Sequence, residues 1–329
     1  MRRLPVPVTL ALLLLAAPAI LRLGVWSPSP VGLDAVSAAT PAYVAVVGAG
    51  NTSVEGAPAS PSVEDLVRGA FHLSGGLHKA IDPTARDVVI RPGHSPMGRR
   101  SLAQHLEVVR AVVVVLHDIA PDARMSLLVG GTPGSGVQAP EGLVGALREL
   151  THTRDLASMR LRVVSLAQEE VEALEVPDGG EAAQLYPLPI PLLECDAVIN
   201  VARYHGPLSA MTNLEGLAGP AEGDATADPA GRLVDLALLL EVQYTVLDLL
   251  GRDHPRSPVV LASADGIAVD RLAGAFAGND AVPSALTRAG DRRLGMAVLA
   301  NIKVAGLDFP GTWVPDGPTE AEETAPKAE

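Results

Sequence analysis

The chain has 329 residues, of which 48% are hydrophobic and only 3% aromatic, and its formal net charge is −13. This length and composition allow a large buried core, organised as one large domain or as two intimately packed lobes. Aromatic stacking platforms are scarce and the acidic balance repels phosphate backbones, which argues against carbohydrate and nucleic-acid binding. We therefore expect a folded globular protein with no nucleic-acid partner.

The N-terminal segment predicts export. Arg2 and Arg3 precede an apolar stretch at residues 8–20, and Ser37-Ala38-Ala39 follows as a small-residue cleavage site, which is the layout of a secretory signal. Because further apolar residues follow the stretch, an uncleaved membrane anchor is the alternative. We expect residues 1–38 to be a signal peptide or anchor and the only membrane contact. The rest would then be periplasmic, extracellular or held on the outer face of the membrane.

Residues 39–309 are predicted to form the α/β domain. Continuously apolar runs of strand length alternate with helical patterns, which is typical of strands buried on both faces. The alternation favours a largely parallel or mixed sheet covered by helices. The predicted strands are Tyr43–Val47, Asp87–Ile90, Met125–Val129, Leu161–Leu166, Ala197–Val201, Val259–Ala262 and Asn301–Val304.

Helix signals lie between these runs. The spacings Ser62-x-x-Asp65 and Ser101-x-x-Gln104 are those of capping boxes. A pattern from about Arg232 to Leu250 is apolar nearly all round and predicts one central helix packed between the sheet and its neighbours.

In four segments the apolar residues do not recur with the spacing of a helix or a strand. The proline-rich residues 177–191 and the glycine-rich residues 216–231 predict long loops. A glycine-rich turn at residues 130–136 follows a predicted strand but lacks the lysine of a phosphate-binding loop, which favours a connector. Residues 310–329 form an acidic, proline-containing tail that is predicted to be disordered.

The single cysteine limits the chemistry of this chain. Cys195 excludes an intramolecular disulfide, and it excludes an iron–sulfur cluster or a cysteine-ligated zinc site within one chain. We expect it to be a small buried hydrophobe. The histidines outside the candidate site, His105 among them, lack metal-ligand spacing and are predicted to be structural. Oligomeric state is left open.

Polar residues flank two of the predicted strands, and they are the candidate ligand-binding and catalytic residues. In α/β proteins, ligands bind at the carboxyl ends of strands. A small anionic molecule is what an arginine, a histidine and amide side chains would recognise there. The candidates are Asn200, Arg203, His205 and Asn213 after the middle strand, with Asp196 at its start, and Ser263, Asp265 and Asp270 at the end of the later strand and beyond it.

Asp265 has two interpretations. It precedes a predicted helix from Gly266 to Phe276, where its carboxylate would accept main-chain N–H groups as an N-cap. The alternative adds Asp270, about one and a half turns further on, as a second catalytic carboxylate. With Asp196, the two would supply the oxygen ligands that a divalent cation takes.

The loop after the middle strand also has two interpretations. Arg203 would hold a carboxylate or phosphate in its planar fork, and His205 would donate or accept a proton. A solvated loop, which Gly206-Pro207 favours, accounts for the same residues without a ligand.

The order of these motifs resembles the family known as domain of unknown function 362, across most of residues 43–306. In that family a middle strand reads Asp-x-x-Ile-Asn, a later loop reads Lys-Asn-Leu-x-Gly, and a further strand leads into Ser-x-Asp-x-x-Ala-x-Asp. The matching residues here are Asp196, Ile199, Asn200, Asn213, Leu214, Gly216, Ser263, Asp265, Ala268 and Asp270.

Three departures from the family pattern concern cations. Arg91-Pro92-Gly93 stands where the family has Lys-Pro-Asn, Arg203 and His205 stand where it has lysines, and Thr212 replaces the lysine before the asparagine of the loop motif. Arginine keeps the charge but does not serve as a deprotonated amine. The resemblance therefore implies anion binding by Arg91 and Arg203 rather than lysine chemistry, and here without the ferredoxin-like segment of some members.

Three hypotheses follow. The first is an exported enzyme acting on a small anionic molecule, with Asp265, Asp270 and His205 as catalytic residues and a divalent cation as an open alternative. The second is a non-catalytic binding protein that keeps the pocket, and the third is a structural protein of the cell envelope. The first predicts that these side chains converge, the second predicts a pocket without an acid–base pair of shifted pKa values, and the third predicts no enclosed polar pocket.

Overall fold

A computed structural model gives the fold of the chain. It describes residues 42–48, 62–93, 99–130, 141–221, 228–249, 259–279 and 281–306. The predictions for residues 1–38, 131–136 and 310–329 fall outside the described residues. No helix within the described ranges is both long enough and apolar enough to cross a membrane.

The described residues form strands β1 (Ala42–Gly48), β2 (Asp87–Pro92), β3 (Arg124–Val129), β4 (Leu161–Ser165), β5 (Val171–Glu175), β6 (Leu185–Pro189), β7 (Ala197–Arg203), β8 (Tyr244–Asp248), β9 (Val259–Ser263) and β10 (Ile302–Gly306). They also form helices α1 (Val63–Leu73), α2 (Arg99–Ile119), α3 (Glu141–Thr151), α4 (Ile190–Leu193), α5 (Ser209–Glu215), α6 (Pro229–Leu239), α7 (Gly266–Phe276) and α8 (Ser284–Asp291).

Eight of the strands form one sheet in the order β10-β1-β9-β8-β7-β2-β3-β4. Strand β9 runs antiparallel to β1 and β8, and the other neighbours pair in parallel. Strands β5 and β6 form a separate antiparallel hairpin. The predicted α/β class, a largely parallel sheet covered by helices, is confirmed.

Helices cover both faces of the sheet because successive side chains of each strand enter different cores. Val88 and Ile90 of β2 pack with α1, α2 and α3, whereas Val89 packs with the β5–β6 hairpin and the helices α5 and α6. Further along the second face, α7 packs against β9 and α8 against α6. This double covering is the reason that the strands read as continuous apolar runs.

The chain reverses its direction of travel across the sheet between β2 and β7. The connection from β2 to β3 passes through α2 on one face, and the connection from β7 to β8 passes through α5 and α6 on the other. In doubly wound sheets this arrangement opens a crevice outside the carboxyl ends of the two strands. Among the described residues, Gly93 follows β2 at this edge of the sheet, and residues 203–206 lie at and after the end of β7.

The prediction of one helix from Arg232 to Leu250 is wrong. Helix α6 ends at Leu239, Glu241 adopts a positive φ of 37°, and residues 244–248 form the buried strand β8. A continuous apolar run fits a buried helix and a buried strand equally well, and here the aromatic and β-branched residues of Tyr-Thr-Val pair with β7 and β9. The predicted loop at residues 177–191 likewise contains strand β6.

Two predicted caps have different outcomes. Ser62 and Asp65 form the predicted capping box at α1, with reciprocal hydrogen bonds of 3.1 and 3.0 Å. Ser101 lies inside α2, which begins at Arg99, so it is not the N-cap of that helix.

Candidate functional site

Arg203 lies at the carboxyl end of β7, the strand that pairs with β2. Its side chain is partly buried, and within the part of the chain that the structure describes it makes no hydrogen bond and no ion pair. The main chain at Gly93 packs close to it, since a Cβ on Gly93 would lie 3.3 Å from the Cβ of Arg203. The guanidinium of Arg203 therefore has no acceptor among the described residues, and its N–H donors are the groups that would hold a ligand.

His205 is exposed beside Arg203. Its Nδ1 lies 3.1 Å from the carbonyl oxygen of Arg203, and its Nε2 lies 3.1 Å from Oγ1 of Thr212 on α5. Because a carbonyl only accepts, Nδ1 carries a proton in this arrangement. The loop is fastened by Ser209, whose Oγ accepts the main-chain N–H groups of His205 and Gly206 at 2.8 and 3.0 Å.

Arg91, predicted to bind the ligand, is completely buried at the end of β2. Its Nε donates to the carbonyl oxygen of Asn213, and Nη1 donates to those of Leu128 and Gly130. Burial lowers the pKa of its guanidinium to about 10. Among the described residues no carboxylate pairs with it, so its contacts bind the carboxyl ends of β2 and β3 to α5. Gly216 passes so close that a Cβ there would lie 2.6 Å from Nη2.

Asn200 and Asn213, both predicted to bind a ligand, contact each other and are buried. Asn213 donates from Nδ2 to Oδ1 of Asn200 at 2.8 Å and to the carbonyl oxygen of Arg91 at 3.2 Å. Asn200 donates to the carbonyl oxygen of Ala210 at 2.9 Å. The two amides thus hold α5 against β2 and β7, and these donors are directed into the fold rather than into the crevice.

Asp265 has the N-cap geometry that one interpretation predicted. Its Oδ1 accepts the N–H of Ala268 at 2.9 Å, and its Oδ2 accepts the N–H of Met296 at 2.8 Å. Burial raises the pKa of this carboxyl, against the opposing effect of these hydrogen bonds. Ser263 supports the same turn: its Oγ accepts from the N–H of Asp265 and donates to the carbonyl oxygen of Tyr43.

Asp270 caps a different helix. Its carboxylate lies in the interior and accepts the N–H groups of Ala210 and Met211, in the first turn of α5, at 2.8 and 2.9 Å. Burial raises the pKa of Asp270 to about 7. Leu208, the residue at the N-cap position of α5, makes no side-chain cap, so a carboxylate from α7 takes its place.

The structure does not bring the three aspartates together. Asp196 precedes β7 and therefore lies at the amino edge of the parallel strands, where its Oδ2 accepts the N–H groups of Arg86 and Asp87 at 2.7 and 3.0 Å. Within the described ranges, no three histidine, cysteine or acidic side chains are grouped so that they could hold a metal ion. The expected cation site of Asp196, Asp265 and Asp270 therefore has no geometric support there.

Sequence reasoning missed a buried histidine–aspartate pair close to Arg203. Nδ1 of His105, on α2, lies 2.9 Å from Oδ2 of Asp248, at the end of β8, and both side chains are 0% exposed. The N–H of Gly93 donates to Nε2 of His105 at 2.9 Å. Asp248 was assigned to a helix, and 143 positions separate it from His105, so only a histidine on an apolar helical face could have suggested the pair.

A second buried carboxylate was also missed. Asp235 on α6 is 0% exposed and accepts the N–H groups of Glu181, Ala182 and Ala183 at 2.6 to 3.2 Å, together with the hydroxyl of Tyr186 at 2.9 Å. Burial and this carboxylate raise the pKa of the Tyr186 hydroxyl. In the sequence, Asp235 was only a polar interruption of an apolar helix.

Comparison with known proteins assigns the chain to no family. No protein-family model matches it. No curated protein matches it either. Among solved structures, the lactate racemase apoprotein from Thermoanaerobacterium thermosaccharolyticum is similar, with 13% sequence identity and a TM-score of 0.41. The match covers 67% of this chain and 56% of that protein, and it is too distant to bear on activity or ligand.

Proposed function

We propose that this protein binds a small anion, a carboxylate or a phosphate, in the crevice between the carboxyl ends of β2 and β7. The observation that carries the proposal concerns the guanidinium of Arg203. It lies where the chain reverses its direction across the sheet, between β2 and β7, and it makes no hydrogen bond or ion pair among the described residues. Its planar fork matches carboxylate and phosphate oxygens. His205, exposed on the same loop, would be the second polar contact.

Binding without catalysis is the form of this proposal that the contacts favour. Asp265 and Asp270, predicted to be catalytic, each use both carboxylate oxygens to accept main-chain N–H groups. A carboxylate engaged in this way holds the fold and is not directed at a ligand. His205 is then the one predicted catalytic residue that lies at the crevice.

Replacing Arg203 by methionine tests the proposal. We expect inorganic phosphate or succinate to raise the melting temperature of the native protein, and we expect R203M to bind the same ion at least about 10-fold more weakly. Loss of a charged hydrogen bond weakens binding by about 1.5–3 kcal/mol. Isothermal titration calorimetry and a thermal-shift series measure the two effects.

Arg124 supplies a matched control. It is an exposed arginine at the amino edge of β3, paired with Asp87 at 2.6 Å, so R124M removes one positive charge far from the crevice. Equal weakening by R124M and R203M would mean that net charge, and not this crevice, governs binding. Absence of binding to the native protein would refute the proposal.

We further propose that the protein is exported and is a divergent member of the domain-of-unknown-function family 362. The support is the signal layout in residues 1–38 and the ordered motifs between residues 43 and 306. When the full chain is expressed with its native N-terminus, we expect a processed form that begins close to Ala39 in the exported fraction. Intact-mass measurement reads this directly, and an unprocessed N-terminus in every fraction would contradict cleavage.

A further inference from the structure

We infer that His105, oriented by Asp248, is a positioning residue of the anion site: it fixes the main chain at Gly93 against Arg203. This inference rests on the proposed function. It assigns a role to the buried pair of His105 and Asp248, which would not itself contact the anion. The residues involved come from three separate parts of the chain. Helix α2 supplies His105, β8 ends at Asp248, and Gly93 directly follows β2.

The hydrogen bonds define which ring nitrogen of the imidazole carries the proton that faces Asp248. A main-chain N–H only donates, so Nε2 of His105 accepts from Gly93 and carries no proton. Nδ1 therefore carries the proton and donates it to the carboxylate of Asp248 at 2.9 Å. The charge of Asp248 favours this tautomer, because a carboxylate holds an imidazole by the N–H that faces it.

With both ring nitrogens engaged, His105 acts through the main chain and not on a ligand. His105 positions the main chain at Gly93, where a Cβ would lie 3.0 Å from Nε2 of His105 and 3.3 Å from Cβ of Arg203. Gly93 is thus held between the imidazole and the base of the arginine. Arg203 and Asp248 are also partners in the register of β7 and β8. The carboxyl ends of β2, β7 and β8 are consequently fixed together around Arg203.

If His105 positions Gly93, disrupting the pair weakens anion binding beyond what general destabilisation causes. We would compare H105L and D248N with the native protein. The readouts are the dissociation constant for inorganic phosphate, the hydrogen-exchange rate of the Gly93 amide, and the tautomer of His105 from the ¹⁵N resonances of its ring. D248N keeps the size of the side chain and removes the charge that favours the Nδ1–H tautomer.

D235N is the matched control. It alters another buried carboxylate, one whose hydrogen bonds hold residues 181–183 and Tyr186 rather than the crevice. We expect the native His105 to be the Nδ1–H tautomer and H105L to release the Gly93 amide, with at least about a 10-fold increase in its exchange rate. We also expect H105L to weaken phosphate binding about 10-fold, and D235N to leave the affinity of its folded fraction unchanged.

Two results would overturn the inference. One is an Nε2–H tautomer of His105 in the native protein. This measurement does not depend on whether any variant folds. The other is phosphate affinity in H105L or D248N equal to that of D235N at matched loss of melting temperature. Failure of the proposed function looks different, because the native protein would then bind neither phosphate nor succinate.

Discussion

Replacing Asp235 by alanine is expected to lower the free energy of unfolding by about 3–5 kcal/mol, the cost of breaking a buried hydrogen-bonded charge network. The substitution leaves three main-chain N–H groups, those of residues 181–183, and the hydroxyl of Tyr186 without their acceptor. Each unsatisfied buried donor costs about 1–3 kcal/mol. Urea unfolding of D235A and the native protein, with slopes compared, measures the loss.

The control for D235A is a substitution at Glu181, whose main-chain N–H donates to Asp235. The side chain of Glu181 makes an ion pair of 3.3 Å with Arg288 and no other polar contact among the described residues, so E181A should change stability by no more than about 0.5 kcal/mol. A loss below about 1 kcal/mol in D235A would show that water reaches the N–H groups of residues 181–183. That result would contradict the assignment of Asp235 as the acceptor that holds residues 181–183 in place.

Asp270 is expected to make stability depend on pH between about 4 and 7. Its pKa is about 7 in the folded protein, against an ordinary value of 3.8 that applies to the unfolded chain, because burial disfavours the charged form. The folded state thus binds the proton more tightly, and the contribution of Asp270 is most favourable below about pH 4 and is lost as the pH rises through 7. The change is on the order of 4 kcal/mol.

The variant D270N isolates this effect because asparagine cannot ionise. We expect the unfolding free energy of the native protein, minus that of D270N, to decrease from about pH 4 to about pH 8 in denaturant titrations. D122N, at an exposed carboxylate, controls for general pH effects. A flat or rising difference would mean that the two N–H bonds from α5 outweigh burial and keep Asp270 ionised throughout.

The pH effect bears on the crevice because α5 is the helix that Asp270 caps. The same helix carries Thr212, which contacts His205, and Asn213, which contacts Asn200 and Arg91. A change in how firmly α5 is held therefore reaches the loop from Arg203 to Ser209. Phosphate titrations of the native protein should be made on both sides of about pH 7 for this reason.

Some of the candidate site could be predicted because its signals are local. Asp265 precedes a helical pattern directly, and its cap bond spans three positions. The position of Arg203 at a strand end follows from the apolar run before it. The partners of Asp270 and Asp196 could not be predicted, since their hydrogen bonds reach residues about 60 and 110 positions away. No local pattern of residues indicates such distant pairings.

The α/β class and seven of the strands follow from the amino-acid order alone, because the period of apolar residues is a property of neighbouring positions. That Tyr244–Asp248 is a strand emerged only with the folded chain, since this short apolar run becomes a strand by pairing with β7 and β9. The tertiary structure also decides which polar side chains are buried and hydrogen-bonded within the protein. Asp270, Asn200 and Arg91 are buried and bonded to main chain, whereas the side chain of Arg203 has no acceptor among the residues that the structure describes. Burial is set by what packs around a residue rather than by its neighbours along the chain.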